Sequence, residues 1–163
     1  MTTVREDVRD ALKTALEDID TTATYDEAGL LNYRSDPTTV EYQVETPEQA
    51  DQTARPYIGF KQRGTVVNED QPGMMTRERT PWRIYVYPDI LQADDDSRRT
   101  QANALLADVE VALWKALRVD RFGDCIHLIS IVGKDTDEGR PLAEKGFSYV
   151  DVETIRHRRI DEN

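Results

Sequence analysis

Eight apolar residues, Ala102, Leu105, Leu106, Val109, Ala112, Leu113, Ala116 and Leu117, recur at helical spacing in "SRRTQANALLADVEVALWKALR". At about 100° per residue they form one continuous stripe. The segment from about Ser97 to Arg118 is therefore predicted to be a long helix laid against a core. Ala104, Ala107, Val111 and Trp114 fall on roughly the opposite side of the same helix. A helix on the outside of a monomer is polar there. Either a loop, around Tyr25 to Pro37, covers this second stripe or another subunit does. Trp is a frequent anchor at such contacts.

Three carboxylates, Asp94, Asp95 and Asp96, stand just before this helix. In that place they satisfy free backbone N–H groups and sit at the positive end of the helix dipole. Consecutive side chains rarely converge on one ion, so capping and solvation are the expected roles, and no metal is expected.

The long helix needs a sheet to lie on. In "PWRIYVYP" Trp82, Ile84 and Val86 alternate with Arg83, Tyr85 and Tyr87, and a proline stands at each end. That period of two predicts a strand with an apolar face. "TVEYQVE" (Val40, Tyr42, Val44) and "ARPYIGFKQRG" (around Tyr57, Ile58 and Phe60) predict two earlier strands. Pro56 fits at the start of the second. "TVVNEDQPGMMTRERT", with Asn68, Pro72 and Gly73, predicts a turn or a long hairpin arm over residues 61–80. "DCIHLISIVG" and "FSYVDVETIRHRRI" predict two late strands, separated by the loop "KDTDEGRPLAEKG". Near the start, Val4, Val8, Ala11, Leu12, Ala15, Leu16 and Ile19 mark a first helix, about Val4 to Asp18. Thr3 and Glu6 stand at capping-box spacing before it.

The expected class is α+β: a mixed, mainly antiparallel sheet of about five strands, with two main helices packed on one face. At 163 residues the chain fits a single domain, 1–163, with a sizeable core. No apolar run approaches the ~18 residues of a membrane span, and the amphipathic start is too acidic for a signal peptide. A cytoplasmic place of synthesis and no membrane partner are expected.

Charge narrows the partners. Asp plus Glu is 32 against 21 Lys plus Arg, and those cations are five Lys and sixteen Arg. Such a surface repels phosphate backbones and anionic lipid. Carboxylate-rich, Lys-poor composition points to a hypersaline cytoplasm. There a Debye length of roughly 3 Å leaves little self-repulsion.

"VGKD" offers Gly133–Lys134, but a phosphate loop needs Gly where Leu128 stands and Ser or Thr where Asp135 stands. No Gly-x-Ser-x-Gly occurs. Cys125 and His127, two apart on the expected strand, share a face there; a buried pair is the plain reading and a nucleophile pair the sharp one. Cys125, His127 and His157 are too few for a zinc site. No disulfide can form with one cysteine. The basic cluster Arg156, Arg158 and Arg159 is expected to pair with carboxylates, its own or a neighbour's. No catalytic residue and no cofactor are expected.

The order and pattern of elements resemble the tail terminator, or tail-completion, proteins of tailed viruses, the family that includes the minor tail protein U of phage lambda. "VREDVRDALKTALED" is similar to that family's opening helix. "PWRIYVYP" resembles its mid-chain strand, "DDDSRRTQANALLADVEVALWKAL" its acidic linker and long helix, and "GFSYVDVETIRHRRI" its closing strand. The chain departs from the pattern by a longer segment from Lys61 to Thr80.

The resemblance implies a structural virion protein assembled in the host cytoplasm. Subunits would close into a homo-oligomeric ring, typically of about six, through heterologous contacts. The ring would cap the tail tube, stop its polymerisation and join the head-completion or neck protein. Genomic DNA would pass through an acidic lumen without specific binding. Composition then points to a virus of haloarchaea. Expected subunit contacts are Ala104, Ala107, Val111 and Trp114, with inter-subunit salt bridges from Arg156, Arg158 and Arg159. Expected docking residues for tube or neck are Arg63, Met74, Met75, Arg77 and Arg79, the methionines as adaptable apolar contacts. Two other readings stay open: another neck component, such as a head-completion or connector protein, and a small cytoplasmic haloarchaeal enzyme or subunit.

Overall fold

The computed structural model describes residues 4–21, 33–37, 39–42, 56–88, 95–134 and 147–159. Two helices and six strands follow in the order α1 (Val4–Glu17), β1 (Thr39–Tyr42), β2 (Tyr57–Gln62), β3 (Val67–Gln71), β4 (Met75–Tyr87), α2 (Asp95–Asp124), β5 (Leu128–Lys134) and β6 (Ser148–Arg159). The fold is α+β, and the sheet is mixed but mostly antiparallel. Its order is β1-β2-β4-β6-β5, with β3 paired to the first half of β4. Among the described strands only β1 and β2 pair in parallel.

Hydrophobic periodicity sets the layers. The helix-facing residues of β4, Trp82, Ile84 and Val86, are joined by Ile58, Phe60, Val150 and Val152 from neighbouring strands. Against them α1 buries Val8, Leu12, Ala15 and Leu16, and α2 buries Ala102, Leu105, Leu106, Val109, Ala112 and Leu113. Leu12, Leu16, Leu105 and Leu113 are at most 1% exposed, so truncating any one to Ala is expected to cost about 2–5 kcal/mol. In the same layer the Trp82 indole N–H donates to Thr154 Oγ1 at 2.9 Å, so a buried polar edge is satisfied across β4 and β6.

The opposite face is also packed. Tyr57, Tyr85 and Tyr87 are buried there with Phe147 and Tyr149 around them. Beside this cluster Asp151 accepts two bonds from Arg83, at 2.7 and 3.0 Å, and one from Arg63 at 2.5 Å. The Arg83 guanidinium lies 3.8 Å from the centroid of the Tyr149 ring. The hydrogen bond to Asp151 raises the Arg83 pKa further above its ordinary value, against a smaller opposing effect of burial.

Three elements differ from the sequence reading. The expected strand "PWRIYVYP" extends back to Met75, and Pro81 lies inside it. Backbone N–H and C=O of one strand residue point to the same side. The Pro81 carbonyl accepts from Arg63 N at 2.9 Å, on the β2 side. The missing N–H therefore falls in the gap where β2 has ended and β3 has not begun, and no ladder bond is lost. The Lys61–Thr80 departure is accordingly a hairpin: β3 and the first half of β4, continued by the end of β6.

The second difference lies at the end of α2. Arg121, Phe122, Gly123 and Asp124 all have positive φ, between 51° and 66°. Left-handed backbone costs roughly 1–2 kcal/mol for each non-glycine residue, and the buried ring of Phe122 holds the turn in place. The third difference follows from it. Cys125 and His127 precede β5 instead of lying on it, because the chain reverses through them.

Residues 22–32 of the first connector, Val44, Asp94 and the loop over residues 135–146 lie outside the described residues. Among the described residues no helix is long and apolar enough to cross a membrane.

Candidate assembly surfaces

The exposed large hydrophobic side chains among the described residues are Tyr42, Val67, Met74, Trp114, Val119, Leu128, Ile131 and Val132. They are not scattered. Trp114, Leu128, Ile131 and Val132 lie along the β5 margin of the molecule. Tyr42 lies at the β1 margin, at the other end of the sheet order. Val67 and Met74 lie on the β3–β4 hairpin. Val119 lines a cleft of about 330 Å³ between the end of α2 and α1.

The β5 margin is built by two elements that meet. α2 runs into the 120–127 reversal and β5 runs back, with Lys134 paired to Glu110. From Glu110 to Trp114 the helix advances about 6 Å. From Lys134 back to Val132 the strand advances about 6.6 Å. Val132 and Trp114 thus each lie beyond that ion pair toward the 120–127 reversal, and the two are 65% and 61% exposed. A bulge between Ile131 and Gly133 leaves Val132 without a partner in the β6 ladder.

The second stripe of α2 divides. Ala104 and Val111 are half-buried, whereas Ala107 and Trp114 are exposed. Residues 33–37 account for part of that covering. Asp108 accepts from the backbone N–H of Arg34 at 3.0 and 3.1 Å, and Lys115 Nζ lies 5.2 Å from the centroid of the buried Tyr33 ring. Burial pushes the Asp108 carboxyl up from its ordinary pKa, against the opposing hydrogen bonds from Arg34 and Ser35.

The β3–β4 hairpin carries the expected docking residues. At its tip Met74 is 67% exposed and follows Gly73 through a turn in which both have positive φ, 81° and 60°. Met75 opens β4 and is half-buried. The hairpin arginines are paired within the chain. Arg79 reaches Glu69 at 3.2 Å and Glu153 at 3.3 Å, and Arg77 approaches Glu69 at 4.0 Å. Arg63 belongs to the Asp151 group. Of the terminal arginines, Arg158 approaches Glu78 of its own chain at 4.0 Å. Arg156 lies 3.8 Å from Cys125 Sγ. The Arg159 side chain is outside the described residues.

The titratable residues of the 125–127 reversal are engaged structurally. The backbone N–H of His157 donates to His127 Nδ1 at 3.1 Å, and the two imidazoles lie 5.8 Å apart. Burial lowers the His127 pKa, and the charges of His157, Arg121 and Arg156 lower it further. Burial likewise raises the Cys125 thiol, which favours the protonated, weakly nucleophilic form. Asp95 and Asp96 occupy the first turn of α2. Among the described residues no group of three His, Cys, Asp or Glu is placed to hold a metal ion.

The exposed apolar residues of β5 were missed from sequence. "CIHLISIV" is a continuous apolar run, which reads as a buried strand. Only its position at the edge of the sheet exposes it. The absence of strict alternation was the available signal, and it pointed the other way.

No family model matches the chain, and no curated protein matches it significantly.

Proposed function

We propose that the protein is a tail-terminator subunit that closes into a ring on the end of a viral tail tube. What carries this reading is the sorting of exposed apolar side chains, mainly to the two ends of the sheet order and to the β3–β4 hairpin. A ring subunit needs two lateral surfaces, one for each neighbour, and an axial surface for the tube. The β5 margin with Trp114 and the β1 margin with Tyr42 serve as the lateral surfaces. The hairpin tip at Met74 and Val67 serves as the axial one. The order of elements supports the same reading: opening helix, central strand, acidic entry to a long helix, closing strand.

On this reading the chain acts by blocking and matching, without a catalytic residue or cofactor. The ring occupies the growing face of the tube protein and presents its other face to a head-completion protein of the neck. The net charge of −11 suits a lumen through which DNA slides without adhering. It also suits a haloarchaeal host, where salt screens repulsion between subunits.

The test is particle mass and shape in about 2 M salt, by light scattering and negative stain, at the screening length of roughly 3 Å that applies there. The expected result is a ring of about six copies, formed alone or on added tail tubes, together with arrest of tube growth. Tubes that elongate unchanged in its presence would refute the proposal.

A further inference from the structure

Val119 is an exposed large hydrophobic side chain that neither the sheet margins nor the hairpin accounts for. It lines the cleft of about 330 Å³ between α1 and the end of α2. Ala11 and Ala15 of α1, with Ala116 and Phe122 from the end of α2, give that cleft an apolar lining, and Asp18 and Asp120 are its carboxylates. Lys115 lines it too, and its Nζ lies over the Tyr33 ring. The volume is at the lower end for pockets that hold small ligands, which suits a single flat ring entering among alanines. Trp114 cannot be that ring within its own copy. Val119 and Ala116 stand about 140° and 160° around α2 from it. Glu110, one turn before Trp114, is held by Lys134 of β5, so the indole stands toward the β5 side. The cleft lies between α2 and α1, and α1 packs on β1. The charges beside the two features are opposite. Arg118, one turn after Trp114, is exposed, as are Asp18 and Asp120 at the cleft. Among the described residues none of these three makes an ion pair.

Building on the ring reading above, we propose that the α1–α2 cleft is the socket for Trp114 of the neighbouring copy. The indole enters among the alanines and Phe122 and covers Val119. Its N–H is a donor, and the Arg118 that accompanies it is a cation, so both meet the carboxylates of Asp18 and Asp120. Knob and socket lie on different flanks of one helix, so the contact is heterologous, and repetition with constant rotation closes it into a ring. The charge part fades with salt while the apolar part remains.

In such a contact a copy without the knob keeps its socket, and a copy without the socket keeps its knob. Trp114→Glu removes the knob. Val119→Arg blocks the socket with a cation that also repels the incoming Arg118. The two variants are studied by light scattering in about 2 M salt, where the screening length is roughly 3 Å. Each alone should stay monomeric where the wild type forms rings, and their equimolar mixture should double in mass to a heterodimer and stop there. Denaturant unfolding checks that Val119→Arg folds. If it does not, Thr14→Arg, at an exposed position of α1 that lines the same cleft, takes its place. Rings formed by the folded socket variant as by the wild type would overturn the inference and leave the ring reading standing. So would a mixture that stays monomeric at up to about 1 mM protein, where even a millimolar contact registers. A wild-type chain that stays monomeric, with or without tail tubes, would overturn both.

Discussion

Replacing Trp114 with Glu separates assembly from folding. The indole is 61% exposed, and a whole Trp side chain presents about 250 Å², so about 150 Å² is left for a partner. At ~25 cal/mol per Å² its removal from water is worth at most ~4 kcal/mol. Ordering and association costs take a share of that, leaving about 2–3 kcal/mol per contact, the range of an interface hot spot. Each contact should therefore weaken by about 30- to 150-fold, and the loss repeats around the ring. The monomer should hardly notice. The site is outside the core, and Glu is a better helix former than Trp, so its stability should move by no more than about 0.5 kcal/mol. Light scattering over a protein dilution series in concentrated salt reads the first effect, and denaturant unfolding reads the second. Wild-type assembly by W114E would refute the lateral role of this residue. Loss of the folded monomer would show that the exposed indole is structural.

Asp151→Asn should destabilise the monomer by about 2–3 kcal/mol in chemical unfolding. It leaves Arg83 and Arg63 without their shared carboxylate, and the half-exposed Arg63 and screening by salt trim the ~3–5 kcal/mol expected of a buried pair. A change below about 0.5 kcal/mol would mean that the group is already solvated. His127 should make stability pH-dependent. Its folded pKa lies below the ordinary 6.5, so its contribution is complete above 6.5 and is lost as pH falls toward the folded value. The cause is that burial, and after it the neighbouring charges of His157, Arg121 and Arg156, disfavour the imidazolium. A His127→Gln variant should flatten the unfolding midpoint against pH below about 6.5, and an unchanged slope would assign the dependence to other groups. Met74→Asp should leave ring mass unchanged and weaken binding to tail tubes by about tenfold, for the loss of about 1.4 kcal/mol of apolar contact at an exposed tip. Unaltered tube binding in a co-sedimentation assay would remove the hairpin tip from the docking surface.

Local order was legible where one period held over many residues. The stripe from Ala102 to Leu117 and the alternation of Trp82, Ile84 and Val86 both predict a face turned to the core, and both faces pack there as expected; that Tyr85 and Tyr87 are buried on the other face was not legible in the alternation. Placing two helices on one face of a mostly antiparallel sheet followed from those faces and from short connections. Sequence left open which loop, if any, covers the second stripe of α2. That depends on the Arg34 and Tyr33 contacts to Asp108 and Lys115, made across more than seventy residues of chain.

The sequence by itself determined the two helices, most of the strands, their order and their helix-facing apolar sides, because those depend on side-chain spacing along the chain. It also determined the acidic, Lys-poor surface and the lack of a recognisable phosphate-loop or serine-hydrolase motif. The tertiary structure decided which strand became an edge. "LISIV" has the composition of an interior strand, and the same residues in the middle of the sheet would be ordinary core. Exposure is a property of what lies beside a strand. No local pattern records that β6 is the neighbour of β5 on one side and that, among the described residues, no strand pairs with it on the other. The pairing of Arg77, Arg79 and Arg158 within the chain was decided in the same way, by strand register, since only the ladders of β3, β4 and β6 bring Glu69, Glu78 and Glu153 within reach.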